Sequence, residues 1–335
     1  MKKISTIIIL AILTLLLLGY AIFFWKNPTH LTHKGDTILI VPKGSSIATV
    51  ADSLAKYELI RSKLTFKLAA RLGGAGSKLQ PGSYRIAEGL SNSEIVSRLT
   101  GTEYSLLFEI TIPEGSTIKR IASIAKEKLH LDSTLIVKLT KDTEFLKSLN
   151  LPKEAKTVEG YLFPDTYRFY LMMTPQGLLR RMAERYKEVI TDSLMATNQT
   201  KLSRYEVMIL ASIVEGEAQR PEERDTIAGV YYNRLKIGMK LDADPTVQYG
   251  LGLTRQITHD ELLKNNPYNT YLNTGLPPGP INNPGKAAIV AALHPAHHDK
   301  IYFVARSDGS GGHYFSKTIA EQEKMIKLSN RNAAQ

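Results

Sequence analysis

The sequence predicts an α+β protein in three parts: an N-terminal transmembrane helix, a small α/β subdomain, and a mostly helical domain with short strands. Three observations predict it. Residues 4–25 form a 22-residue run without a charge. A strand–turn–helix unit recurs at an offset of 71 residues, VPKGSSIATVADSLAKYELI at 41–60 and IPEGSTIKRIASIAKEKLHL at 112–131. Residues 207–214 are apolar almost without interruption, which suits a helix buried on all sides. The 335 residues leave room for about two folded domains. The boundaries read as a cytoplasmic tail (1–3), a transmembrane helix (4–25), a linker (26–36), the small subdomain (37–108) and the helical domain (109–335).

The first run is long enough to cross a hydrocarbon core as a helix. Lys2 and Lys3 precede it, so the positive-inside rule places the N-terminus in the cytoplasm and the rest of the chain outside the plasma (inner) membrane. Gly19 and Ala21 resemble a signal-peptide cleavage site, but the apolar run continues past them to Trp25. The two repeat copies each read as a strand, a Pro-x-Gly turn, a serine cap and an amphipathic helix. Ile47, Val50, Ala51 and Leu54 share one helical face in the first copy. Ile118, Ile121, Ala122 and Ala125 do so in the second. Residues 63–72 and 91–99 read as further helices, and 174–196 as one long amphipathic helix carrying Leu178, Met182 and Tyr186. The segment EGYLFPDTY (159–167) is dense in aromatics, which composition alone assigns to core. The 37–108 region resembles the LysM-like modules of cell-wall proteins, which bind N-acetyl sugars.

The formal net charge is +11 and favours an anionic partner. No basic arm or nucleic-acid motif accompanies it. The chain has no cysteine, which excludes disulfides, a thiol nucleophile and thiolate metal ligands. His294, His297 and His298 lack metal-site spacing, so no metal or organic cofactor is expected.

The chemistry concentrates in ASIVEGEAQRPEERDTIAGVYYNRL (211–235). Two acids, Glu215 and Glu217, follow directly on the buried apolar run. Both flank its apolar stripe, so periodicity does not choose between them. The C-terminal end of a helix and apolar neighbours each disfavour a carboxylate, so a carboxyl held there keeps its proton to higher pH. That is what a general acid for glycosidic cleavage requires. Pro221 ends this helix and opens a second, with Glu222 and Glu223 at its positive end.

The block ASIVEGEA…ERDTIAGVYYNRLKIGMKLDADPTVQYG resembles the core motif of the endolytic murein transglycosylase family. EGYLFPDTY, PYNTYLNTGLPPGPINNPG (267–285), AALHPA (291–296) and YFVA…GSGGHYFS (302–316) sit in the family's order, so the resemblance covers nearly the whole chain. It implies Glu215 as the catalytic acid. Glu217 is implied to position substrate or orient Glu215. Gly216 stands where the family commonly carries a bulkier residue. The implied reaction is lytic cleavage of MurNAc–GlcNAc bonds in nascent peptidoglycan, leaving 1,6-anhydro-MurNAc ends, with one glutamate as acid and then base. The implied partners are peptidoglycan glycan strands, membrane lipid through the N-terminal helix, and peptidoglycan synthases. Further substrate-binding candidates are Asn233, Asp244, Gln248, Tyr268, Asn269, Tyr271 and Asn283; the last four belong to a Pro- and Gly-rich loop of a length usually reserved for function. Asp244 would be the second carboxylate of a hydrolytic muramidase, and a non-catalytic wall-binding scaffold is the other alternative.

Overall fold

The computed structural model describes residues 8–16, 19–20, 35–42, 44–101, 107–170 and 173–334. They fall into two compact units: residues 1–110 with 168–173, and residues 111–167 with 174–335.

In the first unit, β1 (Thr37–Val41) pairs antiparallel with β2 (Gly82–Ile86), from Thr37 opposite Ile86 to Val41 opposite Gly82. Helices α1 (Ile47–Lys56) and α2 (Lys63–Leu72) lie between the strands in sequence, and α3 (Asn92–Thr100) follows. Each helix starts where a serine accepts a first-turn backbone N–H: Ser46 from Thr49, Ser62 from Thr65, Ser91 from Glu94. Leu39, Val41, Tyr84 and Ile86 alternate inward along the strands and close on Val50, Leu54, Phe66, Ile95 and Leu99.

The expected membrane-spanning helix is corrected. Among the described residues, no helix is long and apolar enough to cross a membrane. Residues 8–16 are helical and rise about 13 Å, against a hydrocarbon core about 30 Å thick, and residues 4–7, 17–18 and 21–25 of the predicted span lie outside the described ones. The predicted tail (1–3) and residues 26–34 of the predicted linker lie outside the described residues.

In the second unit the helices run α4 (Ile118–Leu129), α5 (Ser133–Leu139), α6 (Thr143–Ser148), α7 (Pro175–Val189), α8 (Asp192–Met195), α9 (Arg204–Glu217), α10 (Arg224–Lys236), α11 (Asp244–Leu251), α12 (His259–Leu262), α13 (Lys286–Leu293) and α14 (Ile319–Ala333). Strands β3 (Leu107–Thr111) and β4 (Thr166–Tyr170) form a two-stranded sheet. Strands β5 (Tyr302–Ala305) and β6 (His313–Ser316) form an antiparallel hairpin. The single helix expected over 174–196 is two: Thr191 accepts the Leu194 N–H and starts α8 afresh after Ile190 leaves helical geometry. Asp244 and Pro245 form the first turn of α11, where proline's missing N–H costs nothing.

Helix α9 is the centre of this unit. Ser203 and Glu206 form a capping box at its start, and Val207 through Val214 are all buried. It packs against α13, α10 and α11. Tyr161, Phe163 and Tyr167 are buried, as composition suggested.

Candidate active site

Glu215 is the first acid after the buried stretch of α9, and its side chain is only 7% exposed. Three segments surround its carboxyl group. The N–H of Gly285, the residue capping α13, donates to Oε2 at 2.9 Å. Arg224, the first residue of α10, places Nη2 3.6 Å from Oε1. Glu114, from the turn at 113–116, lies 3.8 Å from the same Nη2. Gly115 has φ +71°, and a Cβ there would stand 3.5 Å from Glu215 Cγ. A Cβ at Gly285 would collide with the Glu114 carboxyl, so glycine is what lets that carboxyl lie over the start of α13.

Burial raises the pKa of Glu215 above the ordinary carboxylate value. The Gly285 N–H opposes this, the Glu114 charge adds to it, and Arg224 opposes it. Burial after the apolar run is thus the largest influence on this carboxyl, and the α13 amide and two charged neighbours are supplied by tertiary packing alone.

Asn283 holds the turn in place. Its Oδ1 accepts from Gly160 N and Leu162 N at 2.9 and 2.8 Å. Its Nδ2 donates to the Ser116 carbonyl at 2.9 Å and to Glu159 Oε1 at 2.8 Å. Its backbone bonds to Gly115 N and Ser116 O. Gly160 sits at φ +87°, and a Cβ there would lie 2.6 Å from Pro280 Cγ. Gly160→Ala is expected to destabilise the protein by about 2–4 kcal/mol, read as a lower urea midpoint with an unchanged slope.

Glu159 is a second buried acid, missed in the sequence because it opens an aromatic segment. It accepts the Ile118 N–H at the start of α4, yet burial dominates and pushes its pKa up to about 8. A carboxyl raised from 4.5 contributes stability that is full below pH 4.5 and lost as pH rises towards 8. Glu159→Gln should flatten that fall in stability between pH 4.5 and 8; a slope identical to wild type in urea titrations at several pH values would refute it.

The other expected site residues divide into two groups. Glu217 accepts from Tyr231 Oη at 2.7 Å, and burial raises its pKa to about 7. Asp244 accepts from Tyr271 Oη at 2.5 Å, and both act electrostatically in the surroundings of Glu217 and Tyr231. Gly216, between the two acids, touches α11: a Cβ there would lie 2.9 Å from Pro245 Cβ, so a close helix crossing uses the glycine. Tyr268 stands half-buried with its ring 4.9 Å from that of Tyr249. The remainder brace backbone. Asn233 donates to the His298 and Lys300 carbonyls. Gln248 donates to the Arg255 carbonyl. Asn269, fully buried, donates to the Leu262 and Lys264 carbonyls. Asn283 is 1% exposed with its amide fully engaged, so it offers a glycan no surface.

Two cavities lie near this framework. One of about 690 Å³ is lined by Tyr161, Tyr186, Tyr205 and Arg204 among others. The second, about 670 Å³, is lined by Phe163, Asp165, Arg185 and Lys286, the last next to Gly285. Neither is lined by Glu215 itself.

Comparison with known proteins adds to this geometry. The sequence profile of the YceG-like family matches residues 39–328. An endolytic murein transglycosylase from Bacillus subtilis is 34% identical over 336 residues, covering 95% of this chain and 92% of that protein. One from Streptococcus pneumoniae is 30% identical, covering 79% of this chain and 53% of that protein. The crystal structure of a yceG-like protein from Listeria monocytogenes is similar with a TM-score of 0.60 and 32% identity, covering 88% of this chain and all of that one.

Proposed function

The chain belongs to the YceG-like family, and from that premise we propose that it is an endolytic murein transglycosylase in which Glu215 carries both proton transfers. The observation that supports this most is the carboxyl of Glu215, 7% exposed, with Oε2 committed to the Gly285 N–H. Oε1 is then the oxygen that gives and takes the proton. It donates to the glycosidic oxygen as the C1–O bond breaks. The substrate's C6 hydroxyl closes on C1 and returns its proton to the same oxygen. Attack from within the sugar replaces an activated water with a high effective molarity. The substrate is the glycan of peptidoglycan, acted on outside the cytoplasm, and the enzymes that extend uncrosslinked strands are the matching partner class. The strand–helix–helix–strand order of the first unit supports keeping 37–108 as a LysM-like glycan-binding module and 109–335 as the catalytic domain.

Hydrolysis would need a second carboxylate about 5–9.5 Å from the first. Such a reading would draw on Glu114, which shares Arg224 with Glu215, or on Asp244, which accepts from Tyr271. Mass analysis of products from uncrosslinked glycan separates the two. Lytic cleavage gives ends one water lighter than reducing ends; reducing ends alone would overturn the proposal.

A further inference from the structure

Arg224 is a poorly paired buried cation. Its side chain is 14% exposed, its Nε is buried without a hydrogen-bond partner, and its Nη2 stands 3.6 Å from Glu215 and 3.8 Å from Glu114. Both distances exceed a charge-assisted hydrogen bond of about 2.7–2.9 Å, so a displacement of about 1 Å completes either pair. Glu114 is half exposed, and its carboxyl occupies the space that a Cβ at Gly285 would fill. The sequence repeat carries a related signal. The first copy's turn reads Pro42-Lys43-Gly44-Ser45 and the second Pro113-Glu114-Gly115-Ser116, so the shared turn needs no acid at that place.

We propose that Arg224 is a positioning cation passed between Glu114 and Glu215: Glu114 draws it away while Glu215 holds its proton, and it returns once the proton has left. This rests on Glu215 being the acid and base. At the start of the cycle Glu215 holds the proton that it will give. When Glu215 protonates the leaving oxygen, its new negative charge has a cation about 1 Å from contact. When the C6 hydroxyl proton arrives, Glu215 is neutral again and Arg224 swings back to Glu114. No group beyond substrate and protein takes part. The charged groups bearing on Glu215 are Glu114 on the turn and Arg224 on α10; α13 contributes the uncharged Gly285 amide.

The test is the pH dependence of kcat/KM for anhydro-product release by the full chain, with Glu114→Gln, Arg224→Gln and Arg224→Lys. Losing the Glu114 charge leaves Arg224 on Glu215, so the alkaline limb should move down by about one pH unit. At a pH on that limb the rate then falls about tenfold, while the acidic plateau is kept. Arg224→Gln should move the limb the opposite way and lower the plateau, and Arg224→Lys should restore the limb's position. Limbs that stay at the wild-type pH while activity falls uniformly would overturn the proposal. If Glu114→Gln fails to fold by circular dichroism, the Gln and Lys variants of Arg224 decide the question alone. A Glu215→Gln protein that remains active would instead remove the reading beneath it; inactive Glu215→Gln with unmoved limbs removes only the relay.

Discussion

Glu215→Gln is expected to lower kcat for glycan cleavage by about 10²–10⁴-fold, the usual worth of a positioned general acid and base, while stability at neutral pH holds or rises. Glutamine keeps the shape and still accepts the Gly285 N–H through its carbonyl oxygen. It cannot donate and recover a proton at pH 7. The stability side follows from linkage. The folded pKa of Glu215 is raised, so its contribution is full below its ordinary value of 4.5 and declines as pH rises. The variant removes that decline and should melt at the same temperature as wild type or higher. Such an exchange of activity for stability is usual at a functional group held in a costly environment. Loss of activity together with a large fall in melting temperature would point to a structural role.

Asn283→Ala is expected to destabilise the protein by about 3–5 kcal/mol, the largest effect on stability among the changes considered. Its side chain makes four hydrogen bonds in a site 1% exposed. Removing it leaves two backbone N–H groups unpaired and deprives a carbonyl and the Glu159 carboxyl of a donor. An unmatched buried polar group costs about 1–3 kcal/mol, and neighbouring losses are less than additive. The damage should reach the active site, because the 113–116 turn carrying Glu114 is bonded to Asn283. Asn283→Asp would place an acceptor against Glu159 Oε1 and the Ser116 carbonyl, so it should be worse at neutral pH than at acid pH. Urea unfolding at pH 5 and pH 8 reads both effects; an Ala variant within 1 kcal/mol of wild type would contradict this account.

What the sequence revealed follows the range of the interactions involved. The serine cap at 46 and the burial of 207–214 depend on residues a few positions apart, and they were legible, whereas the serine cap expected in the second repeat copy is Thr117 instead. So was Glu215 as a candidate, because an acid directly after a buried helix is a local oddity. Its partners were not. Glu114 and Gly285 lie about 100 and 70 residues away, and only tertiary packing brings them to it. Asn283 and Asn269 looked like polar loop residues available to sugar. The loop instead spends them on its own backbone, since a long connection buried at its base must satisfy its own donors and acceptors. The membrane span was read from apolar composition over residues 4–25, and among the described residues no helix is long and apolar enough to cross a membrane.

The most direct measurement is a pH titration of the Glu215 carboxyl, with carbon-13 labelled glutamate and the Glu215→Gln protein identifying its resonance. The account predicts a midpoint clearly above the ordinary 4.5, with the group carrying its proton in the pH range where the enzyme works. A midpoint at or below 4.5 would contradict it, because a carboxylate already ionised there has no proton to give.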